Sequence, residues 1–143
     1  MINADIISLT CIVVFIVPTT LYMTTMDPYN LKLIAGLVGG NIVVALIKIL
    51  FGNRGIFGRP RGAVGCDAFC VGGQVGGQPG FPSGHMMNVA LFVGAMWTRS
   101  PYVRWVGVPW LAAMAWARWS KRCHNWQQIV GGGVLGLTLS SLL

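Results

Sequence analysis

At 143 residues, 55% hydrophobic and only 9% charged, the chain has room for one domain and lacks the polar surface that a soluble protein of this size needs. Ten Lys and Arg stand against three acidic residues, Asp5, Asp27 and Asp67, for a net charge of +7. The cations alternate with long apolar runs and form no basic helix or cluster, which argues against nucleic acid and for anionic head groups or a phosphorylated substrate beside a bilayer.

In chain order, residues 1–5 carry no positive region and no small-residue cleavage site follows, so the first apolar run, about 5–25, is expected to be a retained span with a kink at Pro18. Cys11 within it is expected to pack as a small hydrophobe. Asp27, Pro28, Tyr29 and Asn30 form a short turn before a second run, about 31–51, whose one charge near the end is Lys48. Each run has the roughly 20 helical residues that cross a bilayer core.

Residues 52–81 are the longest non-apolar stretch, and ten of the thirty are Gly. Such a composition suits either a disordered linker or a backbone that bends closely around an anion. Cys66 and Cys70 share this loop at a spacing that permits a local disulfide, with two free thiols as the alternative. No further Cys, His or acid cluster completes four ligands, so a zinc site is not expected.

Three more spans are expected, at about 82–99, 102–119 and 124–143. Gly36 with Gly40, and Gly131 to Gly133 with Gly136, suit close helix packing in lipid. Trp97, Trp105, Trp110, Trp116, Trp119 and Trp126 suit an interfacial aromatic belt. The expected fold is therefore all-α, a polytopic membrane bundle of about five transmembrane helices in a single domain, 1–143, with a Gly-rich active-site loop. Five spans put the end of the second, the start of the third, the end of the fourth and the start of the fifth on one face. That face collects Lys48, Arg54, Arg59, Arg61, His85, Arg118, Lys121, Arg122 and His124, against Lys32, Arg99 and Arg104 opposite. Both histidines of the chain lie on the richer side, which the positive-inside rule would make cytoplasmic, and ionisable residues at such a rim are functional candidates.

The run Gly80-Phe81-Pro82-Ser83-Gly84-His85 reads as a helix start, with Ser able to cap it and free backbone N–H groups able to bind an anion beneath His85. Arg118 and His124 flank the short link between the fourth and fifth spans. Gln128, one helical turn after His124, can reach the imidazole, fix its tautomer and leave the other ring nitrogen free to attack phosphorus. Arg59, in Arg59-Pro60, and Lys48 add fixed positive charge that suits phosphoryl oxygens.

Taken together, Lys48 with Arg59-Pro60, then Pro82-Ser83-Gly84-His85, then Arg118 with His124 match in order the three motifs of the type 2 phosphatidic acid phosphatase superfamily, which the chain resembles from residue 48 to 128. The resemblance implies a membrane lipid phosphatase without cofactor or metal. In it His124 forms a phosphohistidine, His85 protonates the departing oxygen and then activates water, and Lys48, Arg59, Ser83, Gly84 and Arg118 hold the phosphoryl oxygens. Two departures stand out. Ten residues separate Lys48 from Arg59 where the family usually has six, so Arg54 is an alternative to Lys48. Gln128 takes the place of the family's acid, as in the dolichyl diphosphatase branch, which it resembles in His124-Asn125-Trp126-Gln127-Gln128. That branch cleaves a polyprenyl diphosphate to the monophosphate at a lumenal site in the endoplasmic reticulum membrane. With one span fewer than the usual six, the chain is also similar to compact copies of the family carried by large DNA viruses. The implied partners are a lipid phosphate substrate and the bilayer, not nucleic acid. The same site chemistry serves a phosphotransferase, and a non-catalytic lipid-binding protein is the reading from another class.

Overall fold

A computed structural model describes residues 3–143. The chain is all-α, and no strand occurs among the described residues. Helix α1 (Ala4–Leu9) runs through a tighter 3-10 turn at Thr10–Ile12 into α2 (Val13–Thr25), in which Pro18 lies. Then come α3 (Pro28–Phe51), α4 (Gly84–Met96), α5 (Pro101–Ser120) and α6 (Trp126–Ser140).

Each later helix starts where the local chemistry says it should. Asp27, Ser83, Ser100 and Asn125 all hold extended backbone and accept a first-turn N–H, and Pro28 and Pro101 occupy the position where a missing N–H costs nothing. The caps also correct two expected boundaries: the fourth helix-forming run ends in a link that includes His124, and α6 begins only at Trp126, while α4 begins at Gly84 rather than Pro82.

Two continuous helical stretches, Ala4–Thr25 and Pro28–Phe51, are long and apolar enough to cross a membrane, and α4 is a shorter apolar helix. α4 is short because it is central: His85, Met87 to Val93 and Ala95 are buried around its whole circumference. Leu33, Leu37 and Val44 of α3, Val14 of α2 and Met114 of α5 close the core around it. The largest interface is between α4 and α6. Its closeness depends on glycine: a β-carbon on Gly132 would meet the Ser83 carbonyl oxygen, and one on Gly136 the Met87 carbonyl oxygen.

The Gly-rich segment is not a disordered linker: after a 3-10 turn at Gly55–Phe57 it folds back on itself. Its two arms pair as an irregular hairpin, with Arg59 N donating to Gln78 O (2.8 Å), Val75 N to Ala63 O (2.9 Å) and Gly65 N to Gly72 O (2.9 Å). Phe81 meets Phe51 and Phe57 in T-shaped contacts, Phe51 and Phe57 pack tilted against each other, and the trio ties the base of the hairpin to the end of α3. Its far part is tied to the α5–α6 link by a disulfide between Cys66 and Cys123. This corrects both expected states of Cys66. The spacing to Cys70 suggested a local pair, but the hairpin folds back over the bundle and brings Cys66 to Cys123, Cα to Cα 5.5 Å. Cys11 and Cys70 are free, and Cys11 is buried as expected of a small hydrophobe.

Candidate active site

Where the hairpin folds over the bundle it roofs a cavity of about 620 Å³. Both histidines line it, His85 from the first turn of α4 and His124 from the α5–α6 link, together with Lys48 of α3, Arg59 of the hairpin and Gly84. Apolar Ile12, Phe15, Val44 and Ala45 form another part of the wall. The cavity thus joins a cationic end to an oily one.

His124 is buried, and its ring is held by a chain of hydrogen bonds whose direction can be worked out. Gln128 Nε2 lies 2.8 Å from Ile56 O and 2.7 Å from Gly58 O, two acceptors, so the amide nitrogen must face them. Gln128 Oε1 is then the atom 3.0 Å from His124 Nδ1. An amide oxygen only accepts, which assigns the proton to Nδ1 and the lone pair to Nε2. Arg59 Nη1, 3.4 Å from that Nε2, also donates to the Cys123 carbonyl at 3.0 Å. Burial first, and then the charges of Arg59 and Arg118, hold His124 well below its usual 6.5, so its imidazole is neutral at physiological pH. Burial, reinforced by Arg118, also lowers the Arg59 guanidinium to about 10, which leaves it charged.

The Pro82-Ser83-Gly84-His85 turn is locked to the same link. Ser83 Oγ caps α4 by accepting from Met86 N (3.5 Å), and Ser83 N donates to Gln128 O (2.9 Å). His85 Nε2 is buried and has no hydrogen-bond partner. A buried imidazole nitrogen left open in this way is available to whatever enters the cavity.

The expected site residues therefore divide. Lys48, Arg59, Gly84, His85 and His124 line the cavity, and Gln128 orients His124 from behind. Arg54, the alternative to Lys48, is exposed and lies outside the cavity lining. Arg118 does not line it either. That side chain is fully buried, with Nη2 donating to Cys66 O (2.9 Å) and Nη1 to Ser8 Oγ (3.1 Å), while its Nε has no partner. Sequence reasoning missed Ser8, Cys11, Asn41 and Asn88. Asn41 and Asn88 face the cavity and pair with each other, Asn41 Nδ2 to Asn88 Oδ1 at 2.8 Å. Single amides inside apolar helices were the available signal. Trp119 and Trp126 lie beside Arg61 and Arg122 around a shallow second hollow on the other side of His124. A family model described as the PAP2 superfamily matches residues 29–143. No curated protein and no solved structure matches the chain.

Proposed function

The chain belongs to the PAP2 superfamily, whose members are phosphatases of phosphate esters, and on that premise we propose that it removes phosphate from a lipid through a phosphohistidine on His124. The observation that carries this reading is the fixed tautomer of a buried, neutral imidazole whose unprotonated Nε2 faces the Arg59 guanidinium at a cationic cavity. In the first step His124 Nε2 attacks phosphorus, the P–N bond forms and the P–O bond to the lipid breaks. His85 gives its proton to the departing oxygen. In the second step His85 takes a proton from water, the water oxygen attacks phosphorus, the P–N bond breaks and inorganic phosphate leaves. Lys48 and Arg59 balance the charge spread over the transferring phosphoryl oxygens, and the N–H groups at the start of α4 supply neutral donors.

A lipid substrate is favoured by the apolar wall of the cavity and by the apolar exterior of the helices. Ile42, Leu46, Ile49 and Leu50 on α3 are exposed, the last two by 76% and 80%, which suits hydrocarbon rather than water. We read the bundle as multi-pass on this basis, with α4 to α6 packed behind the two long helices. The finer assignment is a polyprenyl diphosphate. Gln128 is built into its surroundings by both ends of its amide, which supports a site designed around glutamine rather than one damaged by loss of an acid. The Cys66–Cys123 bridge favours an oxidising, non-cytosolic compartment for this face.

The test is phosphate release by detergent-purified protein from a polyprenyl diphosphate, a polyprenyl monophosphate, phosphatidate and diacylglycerol diphosphate, with a chelator present. Turnover that His124→Ala abolishes, accompanied by an acid-labile phosphoenzyme in the wild type, is expected. Equal turnover by wild type and His124→Ala would leave a lipid-binding protein.

A further inference from the structure

The family match begins at residue 29, yet the helical stretch before it is part of the site. Cys11, Ile12 and Phe15 line the cavity, and the Cys11 thiol faces the His85 carbonyl at 3.8 Å. The Lys121 ammonium, at the end of α5, pairs with Asp5 of α1 and donates to Gly65 O of the hairpin at 2.8 Å. Most telling is Ser8, whose hydroxyl accepts from Arg118 Nη1 across 110 residues of sequence.

Both residues have 0% exposure. A buried guanidinium normally pairs with a carboxylate, because an uncompensated charge is costly there. Among the described residues the salt bridges are Arg99–Asp27 and Lys121–Asp5, so Arg118 has none. What it has are two neutral acceptors, the Ser8 hydroxyl and the Cys66 carbonyl, and an Nε buried with no partner at all. Dipoles on the two terminal nitrogens fix the plane of the guanidinium while leaving its charge unspent. Asp67, on the cavity wall, is close enough for its charge to reach Arg118 but forms no salt bridge with it, so a fixed cation stands beside a cavity whose two histidines both feel its charge.

We propose that Ser8 is a positioning residue: it fixes Arg118, which stands just outside the cavity lining, so that its charge acts on a phosphate there without being neutralised, and so makes α1 a working part of the phosphate site. This rests on the phosphatase reading. Two consequences separate orientation from packing. A hydroxyl is required but not its size, so threonine serves where alanine does not. A carboxylate is worse than alanine for phosphate, although it stabilises the fold by pairing with the buried cation.

The experiment uses the full chain in detergent, reading kcat and KM on the preferred lipid phosphate, the inhibition constant for inorganic phosphate, and Tm with and without inorganic phosphate. Loss of one hydrogen bond to a charged group is expected to cost Ser8→Ala roughly tenfold or more in kcat/KM and to weaken phosphate inhibition comparably. Ser8→Thr should stay within about threefold of wild type, well under the loss for such a bond. Ser8→Asp should raise Tm in buffer, abolish the further rise on adding phosphate, and inhibit turnover most. The inference is overturned if Ser8→Ala keeps wild-type affinity for inorganic phosphate, or if threonine, alanine and aspartate all act only through lowered Tm. The Tm shift on adding inorganic phosphate reads that affinity without turnover. Failure of the phosphatase reading shows separately, as wild-type protein that releases no more phosphate than His124→Ala.

Discussion

Gln128 holds His124 at 3.0 Å, Oε1 to Nδ1, and is itself held by the carbonyls of Ile56 and Gly58. The hairpin thereby sets the tautomer of the proposed nucleophile, although it contributes no imidazole of its own. Restoring the acid that the superfamily usually carries here should therefore do harm. In Gln128→Glu a carboxylate, which has no N–H to give, would face both carbonyl oxygens; Asn125 Nδ2 still serves Ile56 O at 2.9 Å, but Gly58 O would be left unsatisfied at about 1–3 kcal/mol. Lower Tm and at least tenfold lower kcat/KM are expected. A Gln128→Glu protein with unchanged Tm and raised kcat would contradict this account of the amide.

The pH dependence of phosphoenzyme formation follows from burial of His124 first, and of the cations around it second. Only the neutral imidazole attacks, and its depressed pKa moves the inactive, protonated form to lower pH. The acidic limb assigned to His124 should thus lie well below 6.5, with activity maintained as pH falls through 6. Removing a neighbouring charge in Arg59→Gln should shift that limb upward, towards 6.5, whatever happens to the maximal rate. The rate of phosphoenzyme formation against pH, measured in both proteins, checks the direction.

Glycine at the α4–α6 contact is a steric requirement. Gly132→Ala and Gly136→Ala would each drive a methyl into backbone of α4, and overpacking of this kind costs about 1–3 kcal/mol. Gly133→Ala, whose nearest neighbour would be the Met86 side chain at 3.6 Å, should be tolerated. Thermal unfolding in detergent, run on the three variants together, distinguishes a tight seam from ordinary helix propensity, which would favour alanine at all three.

Opening the bridge between Cys66 and Cys123 should weaken both fold and turnover. It closes a span of 57 residues, and losing a bridge of that kind typically costs about 2–4 kcal/mol. It also frees the Cys66 carbonyl, one of the two acceptors of Arg118. A dithiol reductant, and Cys66→Ser with Cys123→Ser, should lower Tm and kcat/KM together, whereas Cys70→Ser should change neither. Equal behaviour of reduced and oxidised protein by both measures would refute the link.

Much of this was legible in sequence because it is local. Asp27-Pro28, Ser83, Ser100-Pro101 and Asn125 announce their helices through capping chemistry, and the spacing from His124 to Gln128 is one helical turn. The positions of the third to fifth helices came out within a few residues, with His124 placed in the link instead of the helix. What sequence withheld depends on the return path of the hairpin. Ten glycines say that residues 52–81 can bend but not where they go, so the partner of Cys66 and the carbonyls behind Gln128 were invisible. Ser8 was hidden for a different reason: one hydroxyl in an apolar run looks the same whether it bonds to its own helix or to an arginine on another.

The glycine contact between α4 and α6 bears on how a bulky tail could be admitted. His85 opens α4 and His124 lies in the link just before α6, so this contact sets the spacing of the two imidazoles that the proposed mechanism places on either side of one phosphorus atom. Packed backbone to backbone, α4 and α6 hold that spacing, while Phe15 of α2 with Val44 and Ala45 of α3 supply the apolar wall on which a tail would lie. Imidazole spacing and tail accommodation thus fall to different pairs of helices.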